Sequence, residues 1–426
     1  MKLNYYNIAC IYVFLTLLGV GLLASLAIIA PIPKRPLGIP IGYYPSLLVL
    51  IFFLIIVVKN MRITKHVCYI QRFFILFVFT GMISSIPNIN SINNFIVYSS
   101  IYLINIILVF VSFKLNSSQL EQIIKKYYKY IVVLSIMSLL AFSLNILPKT
   151  SGANIFGMLG INRNGFTFLL ILPLFYAFFK YIFGRSNLAG INCMVIVITI
   201  LMNLSRSAYI AIIMMLIFIL INKNIDIRKR LKVVKWVSFF VVVFWVIMIS
   251  TSFGEKIKNR ILRLQEIYYI LGGKELQKYQ EGSTRQRLIK AYLQLLMEKP
   301  LFGVGIGQGI TVINRYEKHI AMPHNLYLYI LSNQGIIGSL FLGIFFIQIY
   351  LQGKKALKTK DEHQKVYIFA LHYTYCTILL ISFGNEYLFT NPFLFWSITL
   401  HIAYINKRSQ YPLITTSKLP KALPHN

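Results

Sequence analysis

The sequence predicts an all-α integral membrane protein with about twelve transmembrane helices and one large helical loop between helices 9 and 10. Three observations predict it. Hydrophobic residues make up 57% of the 426 and charged residues only 13%, whereas about a quarter of a soluble domain is charged. The apolar excess is gathered into runs near the roughly 20 residues that a bilayer-spanning helix needs. Basic residues crowd the alternate loops between those runs, the pattern of a chain threaded back and forth through a membrane.

In chain order the runs lie near 8–31, 41–58, 73–88, 95–113, 130–147, 166–183, 187–203, 206–222, 236–252, 325–350, 367–383 and 391–406. The first follows Lys2 and has a small-residue stretch at Ser25-Leu26-Ala27. Its apolar length exceeds a signal-peptide core, which favours an uncleaved anchor. The turn from Asn203 to Arg206 reads as a hairpin, although one longer kinked helix would fit the same residues. The chain therefore divides into nine spans over 1–252, a loop over 253–324, three spans over 325–406, and a tail over 407–426. Pro412, Pro420 and Pro424 mark that tail as a short disordered end.

The charges orient this map. Of the 43 Lys and Arg, with Lys180 and Arg206 at span ends counted in the adjoining loops, 26 fall on the N-terminus, the even-numbered loops and the C-terminus; 5 fall on the short odd-numbered loops and 12 on 253–324. Short loops set orientation, because long ones cross regardless of charge. Both termini are thus expected in the cytoplasm and the long loop outside. The net charge of +32 follows from the same rule. Loops such as 223–235, with Arg228, Lys229, Arg230, Lys232 and Lys235, face anionic lipid, and no nucleic-acid partner is expected. The long loop has no topogenic need of its twelve basic residues, so an anion such as a phosphate is the expected neighbour. Cys10, Cys68, Cys193 and Cys376 lie in or beside spans without close pairing and read as small core hydrophobes.

Acids are scarce. The chain has 11 Asp plus Glu, and its only aspartates, Asp226 and Asp361, fall in cytoplasmic loops. Ion-coupled carriers keep ionisable groups near the bilayer midplane, and no span interior holds an obvious acid. A metal-dependent glycosyl transfer would want paired carboxylates for a divalent ion and its diphosphate. None is evident, so no metal and no cofactor are expected, and any catalysis falls to His, Arg and polar groups.

Three outer segments concentrate such groups. Asn203-Leu-Ser205-Arg206-Ser207-Ala208 is a polar knot between apolar runs, equally readable as an interfacial turn with a snorkelling Arg. In 283–309, Ser283 or Thr284 can cap a helix whose apolar positions Leu288, Ile289, Tyr292, Leu295 and Leu296 recur at helical spacing. That helix is expected to lie on the membrane, with Arg285 and Arg287 in its first turn. Their guanidinium groups suit a bidentate grip on phosphate. Pro300 stops the helix, and Gly303, Gly305, Gly307 and Gly309 predict a flexible turn. No Lys-Ser/Thr follows the glycines, so this is no nucleotide loop. The third segment, Met322-Pro323-His324-Asn325, opens the span 325–350. Pro323 suits a helix start. The partial positive charge of a helix N-terminus disfavours imidazolium and leaves the proton-accepting form of His324. His319 is its natural competitor, and a lone His at a membrane surface is often structural.

The stretch PHNLYLYILSNQGIIGSLFLGIF resembles the His-Asn signature of the O-antigen ligase and polymerase superfamily. Upstream, Ser283-Thr284-Arg285 followed by Pro300-Leu-Phe-Gly-Val-Gly is similar to the family's Arg and Pro-Leu-Phe-Gly-Val-Gly motif. Leu204-Ser205-Arg206-Ser207-Ala208 resembles its Ser-Arg helix start, and Asn162-Arg163-Asn164-Gly165 is a looser match. One departure is Asn333-Gln334-Gly335, where the family often has an acid before the Gly.

The resemblance implies a metal-independent, inverting glycosyl transfer at the periplasmic face of a bacterial inner membrane. The donor would be a glycan on undecaprenyl diphosphate. The acceptor would be a sugar hydroxyl of lipid A–core for a ligase, or another lipid-linked repeat for a polymerase. It further implies His324 as base, supported by Asn325, with Arg206, Arg285, Arg287 and Arg163 on the donor diphosphate. A protein O-oligosaccharyltransferase is disfavoured by its usual greater length. A flippase for lipid-linked glycan is the reading from a different class. The role of Glu386, in the short loop 384–390, is not legible.

Overall fold

The computed structural model describes residues 67–88, 92–144, 163–184, 186–203, 206–223, 225–250, 284–316, 322–383, 388 and 392–409. The predicted spans 8–31 and 41–58, His319, Glu386 and the tail beyond 409 lie outside the described residues. Within them the chain is helical and contains no strand. The helices are α1 (Val67–Ser85), α2 (Ile92–Lys114), α3 (Ser117–Ser143), α4 (Arg163–Gly184), α5 (Asn187–Met202), α6 (Arg206–Ile221) and α7 (Ile227–Ser250). They continue with α8 (Thr284–Glu298), the single turn α9 (Gly309–Val312), α10 (Leu326–Ala356), α11 (Glu362–Ile381) and α12 (Pro392–Ser409). A helix thus occupies each predicted span from 73–88 onward. Asn94–Lys114, Gly165–Gly184 and Leu326–Ala356 are long and apolar enough to cross a membrane.

Local sequence sets several of these boundaries. Asn116 and Gln119 form a reciprocal capping box at the start of α3: Gln119 N donates to Asn116 Oδ1 at 2.8 Å, and Asn116 N donates to Gln119 Oε1 at 2.9 Å. Asp361 Oδ1 caps α11 by accepting from His363 N at 2.9 Å. Pro173 sits inside α4, where it cannot donate to the Leu169 carbonyl. Tyr127 Oη donates to that carbonyl instead, at 2.6 Å, so the helix continues with its acceptor satisfied.

Aromatic packing fixes how the helices run. Phe175 and Tyr373 lie 6.1 Å apart and Phe183 and Phe369 5.1 Å apart between ring centres, so α4 and α11 are antiparallel. Phe74 stands 5.1 Å from Phe345 while Gly81 faces the Gln334 side chain, so α1 and α10 are antiparallel too. Helix α5 ends at its C-cap Asn203 and α6 begins at Arg206, so two helices rather than one occupy the predicted spans 187–203 and 206–222. Asn203 Nδ2 donates to Thr167 Oγ1 at 2.9 Å, which ties that turn to the first turns of α4. One end of the bundle therefore gathers the starts of α4, α6 and α10 and the ends of α1 and α11. The opposite end gathers Lys125, Lys129, Lys180, Lys229, Lys354, Lys355 and Lys365.

Two expectations need correction. The span 325–350 is not one continuous helix: α10 breaks at Gly335, whose φ of 65° and ψ of −170° are non-helical. Helix α8 does not lie apolar-face-down on lipid. Leu288, Ala291, Tyr292 and Leu295 are buried, and α8 packs against α10, with Tyr292 6.3 Å from Tyr329. A protein surface rather than the bilayer receives its apolar stripe.

Candidate functional site

The break in α10 is held open by the glycine segment that follows α8. In an unbroken helix the carbonyls of Ser332 and Asn333 would accept from the amides of Ile336 and Ile337. Here Val304 N donates to Ser332 O at 3.1 Å and Gly305 N to Asn333 O at 2.6 Å. The displaced amides are used as well: Ile336 N donates to Pro300 O at 2.8 Å and Ile337 N to Leu301 O at 3.2 Å. The two helical bonds are thus exchanged for four bonds to the loop. The two carbonyls and two amides released at the break all find partners, as irregular backbone inside an apolar bundle requires.

Glycine is required on both sides of this clasp. A Cβ at Gly335 would lie 2.2 Å from Leu301 O, and one at Gly303 would lie 2.4 Å from the Asn333 carbonyl carbon. Both residues have positive φ, a region closed to most L side chains. Around them, Ile306 N donates to Ser85 Oγ at 2.7 Å, Gly309 N donates to Asn333 Oδ1 at 3.0 Å, and Asn333 Nδ2 donates to Tyr329 O at 2.7 Å. Lys299 Nζ donates to Asn88 Oδ1 at the end of α1. The segment expected as a flexible turn is buried from Gly303 to Gly309 and pinned between α1, α2 and α10. Sequence reasoning found its glycines but missed Ser85 and Asn333. The one signal for Asn333 is its place beside a glycine inside an apolar run.

The clasp leaves residues 326–334 as a half-helix with His324 and Asn325 at its head. Asn325 is the N-cap: its Oδ1 accepts from Leu328 N at 3.0 Å. Leu326 N donates to Ser382 O at 2.9 Å, and Tyr327 Oη to Leu379 O at 2.7 Å; both moor the half-helix to the end of α11. Pro323 is buried two residues before the cap rather than in the first helical turn. Among the described residues His324 is the one non-glycine with positive φ, at 52°. That conformation costs an L residue roughly 1–2 kcal/mol, and such outliers concentrate at functional sites. The imidazole is half-buried.

The arginines are placed by their helices. Arg163 opens α4, Arg206 opens α6, and Arg285 and Arg287 lie in the first turn of α8. The side chains of Arg163, Arg206 and Arg285 lie outside the described residues; Arg287 is half-buried. The fold brings the starts of α4, α6 and α10 to one end of the bundle, and α8 runs along the same half-helix that His324 heads. A helix start also presents unpaired N–H groups and positive dipole ends, which suit an anion.

Residues 191–343 match the O-antigen ligase family model. No curated protein matches the chain. The matched stretch runs from α5 through Arg206, α8 and the glycine clasp to the His324 half-helix and beyond its break. Over that stretch, which holds motifs more than a hundred residues apart at the extremes, the chain is similar to the O-antigen ligase family.

Proposed function

We propose that this protein is an O-antigen ligase that moves a glycan from undecaprenyl diphosphate to a sugar hydroxyl of lipid A–core at the periplasmic face of the inner membrane. The observation that carries the reading is His324, held in a costly backbone conformation at the head of a half-helix whose break is held by four backbone hydrogen bonds to the glycine loop. In this reading the basic end of the bundle is cytoplasmic. His324 accepts the proton of the acceptor hydroxyl. The hydroxyl oxygen attacks the anomeric carbon as its bond to the diphosphate oxygen breaks, with inversion. The departing electron pair stays on the diphosphate, whose charge Arg206 and Arg285 stabilise, with Arg163 and Arg287 alongside. Asn325 supports the base by capping its helix.

A carrier is less well supported. Among the described residues the one buried carboxylate is Glu121, which accepts from Tyr404 Oη at 2.8 Å near the basic end; ion-coupled carriers instead place acids at mid-membrane.

The deciding measurement is a lipopolysaccharide gel with an O-antigen immunoblot on a deletion strain complemented by wild type or His324→Ala. Loss of glycan from lipid A–core, with polymer persisting on the lipid carrier, is the ligase outcome, and His324→Ala should fail to restore attachment. Core capped by a single repeat would instead assign the polymerase. Attachment at wild-type level in His324→Ala, at normal abundance, would refute the base. Separately, Arg285→Lys should impair donor use, because an ammonium lacks the planar fork.

A further inference from the structure

Away from this site, at the basic end, Lys125 and Lys180 stand over a tyrosine cluster with Lys129 beside them. Lys125 and Lys129 stand one turn apart on α3, and Lys180 lies in the last turns of α4. Lys125 and Lys129 both repel Lys180 electrostatically. Among the described residues none of the three is paired with a carboxylate; the ion pairs nearby join Lys229 and Lys365 to Glu362, at 2.8 and 2.9 Å, and His363 to Glu121 at 3.8 Å. Lys180 Nζ is 5.9 Å from the ring centres of both Tyr128 and Tyr176, and Lys125 Nζ is 5.9 Å from that of Tyr367. These rings pack together, Tyr128 on Tyr176 at 5.0 Å and Tyr176 on Tyr367 at 5.5 Å. Asn192 Nδ2 donates to Tyr128 Oη at 2.6 Å, which leaves the hydroxyl's own proton for another acceptor.

A group of like charges beside a hydroxyl donor calls for an anion. Basic residues that only set topology need no such convergence, and freely solvated lysines would spread apart. What lies below the lysines says which kind of anion. On α3, Val133, Ile136, Met137 and Leu140 are exposed and continue the face of Lys125 and Lys129 at helical spacing. Charge at one end and an apolar stripe beneath it match an amphiphile with an anionic head. We propose that Lys125, Lys129 and Lys180 bind the phosphate of an anionic membrane lipid, whose acyl chain lies along that stripe.

Native mass spectrometry of the delipidated, detergent-solubilised full chain, titrated with dioleoylphosphatidylglycerol or dioleoylphosphatidylcholine, tests this. Wild type should retain the anionic lipid preferentially. The variant Lys125→Gln/Lys129→Gln/Lys180→Gln should bind it at least about tenfold more weakly, since each lysine near an anionic headgroup contributes on the order of 1 kcal/mol. Lys354→Gln/Lys355→Gln, which removes exposed charges elsewhere at the same end, should leave binding unchanged. If the triple variant does not fold, Lys180→Gln alone is read, and a several-fold loss is expected. Unchanged binding in the lysine variants, or an equal loss in the control, overturns the site. Saturation by inorganic phosphate at the same phosphate concentration would make the occupant the free ion and overturn the lipid assignment.

Discussion

Gly335→Ala probes the feature on which the site's geometry rests. The wild-type backbone at this position, φ 65° and ψ −170°, lies in a region almost confined to glycine, and holding alanine there costs about 1–3 kcal/mol. The added Cβ would also lie 2.2 Å from Leu301 O, 2.4 Å from its carbonyl carbon and 2.5 Å from Phe302 N. All three are backbone atoms, so relief requires the loop to withdraw. Withdrawal stretches Ile336 N to Pro300 O and Ile337 N to Leu301 O, and each such bond contributes about 0.5–1.5 kcal/mol net. The combined loss is about 2–6 kcal/mol on these figures. Gly343→Ala is the matched control in the same helix. Nothing lies within 4 Å of its added Cβ, and alanine's better helix propensity makes it neutral or stabilising by up to about 1 kcal/mol. Denaturant titration of both variants in detergent, read by size-exclusion profile, compares them directly. Should Gly335→Ala unfold at the same midpoint as Gly343→Ala, the break in α10 is not imposed by the clasp and the account of the site fails with it.

Other consequences are simpler to state. At His324 a glycine keeps the positive φ at no steric cost while an alanine does not, so His324→Gly should be more stable than His324→Ala by about 1 kcal/mol, while under the proposed function both should lose transfer. Equal stability in the same titration would show that the backbone there is not constrained. Asn325→Ala should lose about 1 kcal/mol of helix-cap stability; Asn325→Asp should recover most of it, because the carboxylate still accepts from Leu328 N, and a failure of that rescue would assign Asn325 something other than a cap. Burial opposes ionisation of Glu362, but hydrogen bonds from Lys229 and Lys365 outweigh it and hold the carboxyl below the ordinary glutamate range. A lowered value means the stabilisation is present above the ordinary unfolded range and is lost as pH falls through the folded one. Glu362→Gln should therefore be less stable than wild type near neutrality, and the two should converge in acid; a difference that persists in acid would remove the ion pairs as its cause.

The helices were legible because apolar length and basic loops are local properties of the chain, and caps such as Asn116 and Asp361 add start signals of their own. His324 was also legible, as a polar residue stationed where an apolar run begins. Its backbone conformation was not, since no local residue pattern announces a positive φ in a non-glycine residue. The clasp was hidden for a related reason. Residues 325–350 satisfy the composition of a span throughout, and Gly335 alone does not announce a break, because helices tolerate single glycines. The partners of the break lie some thirty residues upstream, in a segment whose glycines equally describe a loose turn.

The clasp also gives a physical account of the departure at Gln334. Its side chain is buried against Gly81 and Gly338 and shares a hydrogen bond with Tyr102. An ionised carboxylate at such a position needs a compensating charge, and a broken pair is strongly destabilising. A neutral amide there needs none, and it fills the same space between α1 and the break. The residue before Gly335 is thus a packing element of the clasp, and its exchange for an amide removes no group from the proton transfer assigned to His324. The same reasoning bounds the proposed site: under the proposed function the chemistry is assigned to the head of the half-helix and the helix starts around it, and the Asn333-Gln334-Gly335 segment serves to end that half-helix.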